Sequence, residues 1–176
     1  MKVVFLRHGQ SEYNIKHLIN QDPNIRVYIT AKGKKQIADV AKKLEGIEFD
    51  AIFVSEFIRT KESAEIINSD RNIPIVIDRR INEERIGMEG KPLREHPIFD
   101  AEDFFNFKLE GYESRNDIKK RVGSFLNWLK KEDYNNVLVV THEGILQIAN
   151  CIVNRLSDEN ARKIKFDNAE FLEFEL

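Results

Sequence analysis

The sequence predicts a single α/β domain, residues 1–176, with a mostly parallel central sheet and helices on both faces. Three observations predict this class. The length of 176 residues suits one hydrophobic core. Short apolar runs rich in β-branched residues alternate with stretches of helical periodicity, which is typical of parallel sheets. Finally, no repeat and no Gly-, Ser- or Pro-rich linker divides the chain.

Four short apolar runs predict the strands of this sheet. They are Val3–Leu6, Phe49–Val54, Ile73–Ile77 and Val137–Val140. Their length and unbroken apolar character are typical of strands that are covered on both faces. The first run is interrupted by Arg7 and is too short for a signal peptide or a membrane span. We therefore expect a cytoplasmic protein that does not bind membranes.

Helical patterns lie between these runs. Thr30 suits an N-cap, and apolar residues follow it at three- and four-residue spacing until Gly46, where a helix would end. Residues 56–68 alternate charged and apolar positions in a helical manner. A long helix is predicted from about Glu113 to Lys131 because one apolar stripe runs along it. A further helix is expected after His142.

Composition narrows the classes of ligand. Lys and Arg total 28 against 30 Asp and Glu, which gives a formal net charge of −2. This balance, together with the lack of a long basic run, argues against nucleic-acid binding. Positive charge for an anionic ligand would have to be gathered locally. Cys151 is the single cysteine, so no intrachain disulfide can form, and its apolar neighbours predict a core residue.

The predicted strand ends carry residues suited to phosphate chemistry. Ligands of parallel sheets collect at the C-terminal ends of the strands. Arg7 and His8 follow the first strand, Arg59 lies shortly after the second, and His142 follows the last. The planar guanidinium of Arg can donate to two phosphate oxygens at once, and a neutral imidazole nitrogen can attack phosphorus. These residues predict a phosphate site.

A leaving alkoxide also needs a proton. A carboxylic acid whose pKa is raised by burial or by neighbouring negative charge can supply it. Glu83 and Glu84 are the candidates, because they precede Gly87 and Gly90 in what reads as an irregular loop.

The segment Leu6–Asn14 resembles the signature of the histidine phosphatase superfamily, the phosphoglycerate mutase-like proteins. Further stretches resemble the family's motifs in the expected order: Ile29–Gln36, Phe49–Arg59, Ile81–Gly90, Gly111–Ser114 with Arg121, and Val140–His142. The resemblance implies the fold predicted above. It also implies a metal-independent phosphatase that needs no dissociable cofactor and acts on a small phosphorylated substrate.

The resemblance assigns roles to individual residues. His8 would be the phosphorylated nucleophile, and Glu83 would be the general acid, with Glu84 as the weaker choice. The phosphoryl group would be held by four side chains, which are Arg7, Asn14, Arg59 and His142. No metal ligand is implied. The chief departure is Glu143, which stands where the family usually has a small residue, and which could face the phosphate or point away from it.

Three functions stay open at this point. The short stretch between Glu83 and His142 favours a compact phosphatase, because cofactor-dependent phosphoglycerate mutases are longer there. A small cap region at about residues 91–112 is rich in Phe and has few cations, which indicates a pocket not specialised for highly phosphorylated ligands. A mutase is the first alternative, and a non-catalytic phosphate-sensing or protein-binding module is the second. The protein is expected to be a monomer or a homodimer.

Overall fold

A computed structural model describes the backbone of residues 1–176 and every side chain except those of Asp158, Ala161 and Arg162. Along the described backbone, strands alternate with helices. The elements are β1 (Lys2–Arg7), α1 (Glu12–Lys16), α2 (Ala31–Lys43), β2 (Ala51–Val54), α3 (Ile58–Ile67), β3 (Ile75–Ile77), α4 (Arg115–Leu129), β4 (Asn136–Thr141), α5 (Glu143–Val153), α6 (Asp158–Lys163) and β5 (Phe171–Glu175). Short 3₁₀ turns occupy Arg79–Ile81, Leu93–Glu95 and Pro97–Asp100.

The five strands form one sheet in the order β3-β2-β4-β1-β5. The first four run parallel, and β5 pairs antiparallel with β1. The mostly parallel sheet predicted from the sequence is therefore confirmed. At the C-terminal ends of β1 and β4, Arg7 lies opposite Thr141. His8 and His142 consequently leave the sheet side by side.

Both faces of the sheet are covered by helices, as predicted. Alternate residues of β1 enter two cores, since successive side chains of a strand point to opposite faces. Phe5 packs in the core that holds the apolar faces of α4 and α5. Leu6 packs in the core that holds those of α2 and α3. Cys151, on α5, is buried as expected.

Two strands depart from the prediction. The predicted run Ile73–Ile77 is not a buried strand, because β3 is the outermost strand of the sheet. Its residues Ile75, Val76 and Ile77 are 39%, 40% and 54% exposed. In addition, β5 was not predicted. Its apolar residues alternate with Glu, which is typical of an edge strand with one face exposed to water, and it therefore lacks the unbroken apolar run that predicted the other strands.

The long helix α4 begins at Arg115 and is capped by Ser114, whose side chain forms a reciprocal capping box with that of Asp117. The helix thus starts two residues later and ends two residues earlier than predicted. Among the described residues, none of the helices has the length and apolar character that crossing a membrane requires. The cap region, residues 91–112, contains two of the 3₁₀ turns and otherwise irregular backbone.

Candidate functional site

His8 stands at the first residue after β1 and is 2% exposed. Its Nδ1 lies 2.7 Å from the Gly9 carbonyl oxygen. Because a carbonyl can only accept, Nδ1 carries the proton, and Nε2 keeps its lone pair. The Nε of Arg59 donates to this lone pair at 3.0 Å. Burial, reinforced by the charges of Arg59 and Arg7, holds the pKa of His8 well below its ordinary value. The imidazole is therefore neutral.

The turn after His8 is held by close contact with the start of α2. A Cβ on Gly9 would lie 2.5 Å from the carbonyl oxygen of Gly33, and a Cβ on Gly33 would collide with the backbone of Gln10. The side-chain oxygen of Gln36 accepts a hydrogen bond from the Gln10 N–H at 3.0 Å. The stretch Ile29–Gln36 was singled out in the sequence only because it resembles a family motif. In the structure it fixes the backbone that carries His8.

Arg59 lies in the first turn of α3 and is buried. Beyond its bond to His8, its guanidinium donates to the side-chain oxygen of Asn20, to the Asn20 carbonyl at 3.2 Å and to His142 Nδ1 at 3.0 Å. It also lies 3.4 Å from a carboxylate oxygen of Glu83. Burial lowers the pKa of Arg59 to about 10, so the side chain stays cationic at neutral pH. Asn20 was not identified from the sequence.

His142 follows β4 and forms the N-cap of α5. Its Nε2 lies 2.9 Å from Ser55 Oγ, which lies 2.8 Å from Thr60 Oγ1. The Thr60 hydroxyl donates to the Phe57 carbonyl at 2.8 Å. The Phe57 carbonyl at the end of this series of hydrogen bonds can only accept, so the Ser55 hydroxyl donates to Thr60 and His142 Nε2 donates to Ser55. His142 Nε2 therefore carries the proton of the ring. Burial, together with the charge of Arg59, holds the pKa of His142 well below its ordinary value.

Glu83 reaches the same cleft from the loop after the first 3₁₀ turn. One carboxylate oxygen lies 3.4 Å from Arg59 and 3.4 Å from His142 Nδ1, and the other accepts the Glu84 N–H at 3.1 Å. The side chain is 24% exposed. Burial raises the pKa of Glu83 above its ordinary value, and the negative charge of Glu84 adds to the rise against the opposing charge of Arg59.

Two other carboxylates of this loop have different partners. Glu84 forms an ion pair with Arg115. Glu89 accepts the backbone N–H groups of Gln21 and Asp22 at 2.6 and 3.0 Å and so secures the loop that carries Asn20. Of the three, Glu83 is the carboxylate in contact with both the buried arginine and the second histidine.

The Glu83 loop is fastened from α4 by Arg121. Its guanidinium donates to the carbonyls of Arg80, Asn82 and Glu83 at 2.8, 2.9 and 3.0 Å. Glu113 holds the other side of the guanidinium at 2.8 Å. Arg121 therefore positions the backbone of the carboxylate without lining the cleft.

Arg7 lies at the end of β1. Its guanidinium donates to the Phe166 carbonyl and forms an ion pair with Glu143, whose carboxylate oxygen is 2.9 Å away. Its Nε is buried and has no hydrogen-bond partner among the described side chains and backbone. Glu143 thus faces the site, which answers the question left by the sequence.

Asn14 lines the same cleft. Its side-chain oxygen accepts hydrogen bonds from the Ser11 N–H at 2.9 Å, the Ser11 hydroxyl at 3.0 Å and the Asn168 amide at 3.0 Å. Asn168 also donates to the His8 carbonyl at 3.3 Å. Asn168 thereby ties the segment before β5 to the turn that carries His8. Asn168 lies outside the predicted strands, helices and motifs, so the sequence did not identify it.

These side chains open onto one cleft of about 370 Å³. Away from the histidines its walls are largely apolar, with contributions from Leu18, Ile19, Ile86, Leu93, Ile98, Phe99 and Phe104. Four of these belong to the cap region. Among the described side chains, no group of three or more His, Cys, Asp or Glu is placed to hold a metal ion.

Five of the six predicted site residues line this cleft. The sixth, His142, is fully buried and contacts the cleft residues Arg59 and Glu83 through its Nδ1. The arrangement offers a neutral imidazole with an available lone pair, two guanidinium groups and a carboxyl group with a raised pKa. Such a set can bind a phosphate dianion, attack it and protonate an oxygen.

The model of the histidine phosphatase superfamily, branch 1, matches residues 3–176. The adenosylcobalamin/alpha-ribazole phosphatase of Escherichia coli is 28% identical over 162 residues, which cover 84% of this chain and 76% of that protein. A 2,3-bisphosphoglycerate-dependent phosphoglycerate mutase of Afipia carboxidovorans is 38% identical over 92 residues, which cover 48% of this chain and 42% of the mutase.

A solved structure agrees with these alignments over the whole length. The alpha-ribazole phosphatase from Shigella flexneri superposes with a TM-score of 0.85 at 24% identity, covering 100% of this chain and 91% of that one, and so shares its fold. The match over nearly the whole chain, the order of the motifs and the convergence of their residues on one cleft lead to one conclusion: the chain belongs to branch 1 of the histidine phosphatase superfamily.

Proposed function

We propose that this protein is a metal-independent phosphatase that hydrolyses small phosphate monoesters through a phosphohistidine intermediate on His8. The observation that carries the proposal is the fixed tautomer of His8. The Gly9 carbonyl holds the proton on Nδ1, so the lone pair on Nε2 is presented to the cleft. A neutral ring with a placed lone pair is the form that can attack phosphorus.

In the first step, the Nε2 lone pair of His8 forms a bond to phosphorus, and the bond from phosphorus to the ester oxygen breaks. The leaving oxygen takes the proton of the Glu83 carboxyl group, which its raised pKa keeps available. The alcohol departs, and phosphohistidine and a Glu83 carboxylate remain.

In the second step, the Glu83 carboxylate takes a proton from water as the water oxygen attacks phosphorus. The bond between phosphorus and Nε2 breaks, and its electron pair returns to His8. Inorganic phosphate leaves, and the carboxyl group is again protonated, so that the enzyme is restored.

The phosphoryl oxygens would be held by Arg7, Arg59, His142 and Asn14. Arg59 donates to both histidines in the free protein, and an arriving phosphate dianion can replace these acceptors with stronger, charged ones. The oxygen of Asn14 is already used as an acceptor, which leaves its amide N–H groups for phosphate. His142 would donate from Nδ1 once it takes up a proton in the presence of the dianion.

Both alternatives are less well supported. The matches to the alpha-ribazole phosphatases of Escherichia coli and Shigella flexneri cover 84% and 100% of this chain, whereas the mutase match covers 48% of it. A non-catalytic module would have no need of a carboxyl group with a raised pKa beside a nucleophile of fixed tautomer. The cytoplasmic location and the monomeric or dimeric state stay predictions.

Trapping the intermediate tests the proposal. The wild-type protein is mixed with an aryl phosphate in the presence of EDTA and quenched within one turnover. We expect phosphate release and a transient phosphoprotein that is labile to acid and stable to base, as a phosphoramidate is. His8→Ala should show neither while keeping the wild-type circular dichroism spectrum. A phosphoprotein or metal-free turnover in His8→Ala would contradict the assignment.

A further inference from the structure

Glu143 places a negative charge within the proposed phosphate site. It is the first residue of α5, directly after His142, and its carboxylate is 2.9 Å from the guanidinium of Arg7. It lines the same cleft as His8. Its side chain is 31% exposed, so the charge is only partly screened by water. An anion is thus already paired with one of the two arginines that would hold phosphate.

The charged groups of the whole cleft are nearly balanced. Four cationic side chains and three carboxylates line it, and they are Arg7, Arg59, Arg115, Lys165, Glu83, Glu84 and Glu143. Glu83 is neutral in the form that donates a proton, which leaves two surplus positive charges. One phosphate dianion cancels them. The proton that His142 takes up with the dianion lies against the bound phosphate, so the leaving-group end of the cleft has no positive charge left for a second anionic group.

The two cationic side chains away from the histidines, Arg115 and Lys165, add little free positive charge to the cleft. Arg115, at the end of the cleft lined by Phe104, is already paired with Glu84 and also donates to Gln147 at 2.7 Å. Lys165 is exposed at the rim, where water and salt screen its charge. Away from the histidines, then, the walls present apolar side chains and a neutralised arginine to the leaving group.

From this charge pattern we propose that Glu143 is a specificity-determining residue that disfavours substrates with a second negative charge. The inference rests on the proposed phosphatase function and deepens it. A phosphate bound to Arg7 lies close to the Glu143 carboxylate, and any further anion on the substrate adds to the repulsion. A leaving group that is neutral or cationic meets no such penalty. The substrate class is therefore a monophosphate ester with a neutral or cationic, partly apolar leaving group.

Three aryl phosphates that differ mainly in remote charge provide the test. They are para-ethylphenyl phosphate, which is neutral beyond its phosphate, the O-phosphate of tyramine, which carries an ammonium group, and the O-phosphate of para-hydroxyphenylpropionate, which carries a carboxylate. Their phenol leaving groups have similar pKa values, so differences in kcat/KM report on the remote charge. Binding of the matching phosphonates, which cannot be hydrolysed, gives a second measurement.

The variant is Glu143→Gln, which removes the charge and keeps the size. Glu48→Gln is the matched control, because Glu48 is exposed and lies before β2, at the N-terminal ends of the strands and so at the end opposite the cleft. In the wild type and in Glu48→Gln we expect the carboxylate substrate to be the poorest of the three. In Glu143→Gln its kcat/KM relative to the neutral substrate should rise about fivefold or more, and the phosphonate affinities should shift in the same ratio.

An unchanged ratio in a folded Glu143→Gln protein, by turnover and by phosphonate binding, would overturn the proposal. So would a wild type that prefers the carboxylate substrate. Absence of turnover by the wild type on all three esters would contradict the phosphatase function alone, since the phosphonate affinities would still support or overturn charge selection.

Discussion

His8 and His142 leave neighbouring parallel strands with different ring nitrogens facing the cleft. The first presents Nε2 and the second Nδ1, and one side chain, Arg59, donates to both. The opposite nitrogen of each ring is bound by a fixed acceptor, the Gly9 carbonyl or the Ser55 hydroxyl. The tautomer of His8 is thus set by the backbone of the next residue in its own motif. The tautomer of His142 is set by Ser55, which is far from it in the sequence.

The choice between Glu83 and Glu84 can be tested by their effects on different leaving groups. We expect Glu83→Gln to slow the hydrolysis of an alkyl phosphate about a hundredfold and that of an activated aryl phosphate much less, because only a poor leaving group needs the proton. Single-turnover rates on the two substrates measure this.

Glu84→Gln is the matched control, since Glu84 is paired with Arg115 and not with the histidines. It should affect both substrates to a similar extent. Equal slowing of both substrates by Glu83→Gln, or stronger selectivity in Glu84→Gln, would remove Glu83 from the acid role.

The raised pKa of Glu83 predicts a pH dependence with a definite sign. Because burial keeps this carboxyl group protonated above its ordinary value of 4.5, activity that needs its proton should be lost as the pH rises through the raised pKa. His8, whose pKa is lowered from 6.5, stays neutral throughout and adds no loss there. The kcat/KM of an alkyl phosphate should therefore show an alkaline decline that an activated aryl phosphate lacks. The same decline for both substrates would contradict this.

At the scale of elements, the contact between α2 and the turn after β1 positions the nucleophile. The backbones of Gly33 and Gln10 approach so closely that no Cβ fits between them. The requirement is one of space and not of left-handed backbone, because Gly33 lies inside a helix. This contact explains why a helix far from the chemistry carries one of the matched motifs.

Replacing Gly33 with alanine favours the helix by propensity but places a Cβ against the backbone of Gln10, so the variant shows which of the two effects dominates. We expect Gly33→Ala to destabilise the fold by about 1–3 kcal/mol through overpacking, and to lower kcat about tenfold or more, because His8 is displaced. Thermal unfolding and turnover measure the two effects. In Gly46→Ala, where a Cβ would meet nothing within 4 Å, both should stay near wild type. Similar behaviour of the two variants would show that the contact is not needed.

The antiparallel strand β5 has a comparable role at the other side of β1. The segment before it brings Asn168 to the His8 carbonyl and to Asn14, and the Ala169 N–H donates to the same carbonyl at 3.2 Å. Ala169 has a positive φ of 62°, a costly conformation for a residue with a side chain. The strand that the sequence did not reveal therefore helps to fix the most firmly predicted residue.

For the whole molecule, a net charge of −2 coexists with a cleft built around two arginines. The parallel order β2-β4-β1 brings the C-terminal ends of three strands together, and with them residues 7, 59 and 142. The two arginines proposed to bind phosphate are thus gathered locally at the C-terminal ends of the strands, as expected of an anion-binding protein with no overall positive charge.

The sequence by itself determined the fold class, the four parallel strands, the four main helices and the residues of the candidate site, because strand length, helical periodicity and ordered motifs are local signals. Only the tertiary structure decided which residues hold these in place, among them Asn20, Thr60 and Asn168. It also showed that β3 is an exposed edge and that Glu143 faces Arg7. Such facts depend on contacts between residues far apart in the chain, and no local pattern records which distant partner a side chain will meet.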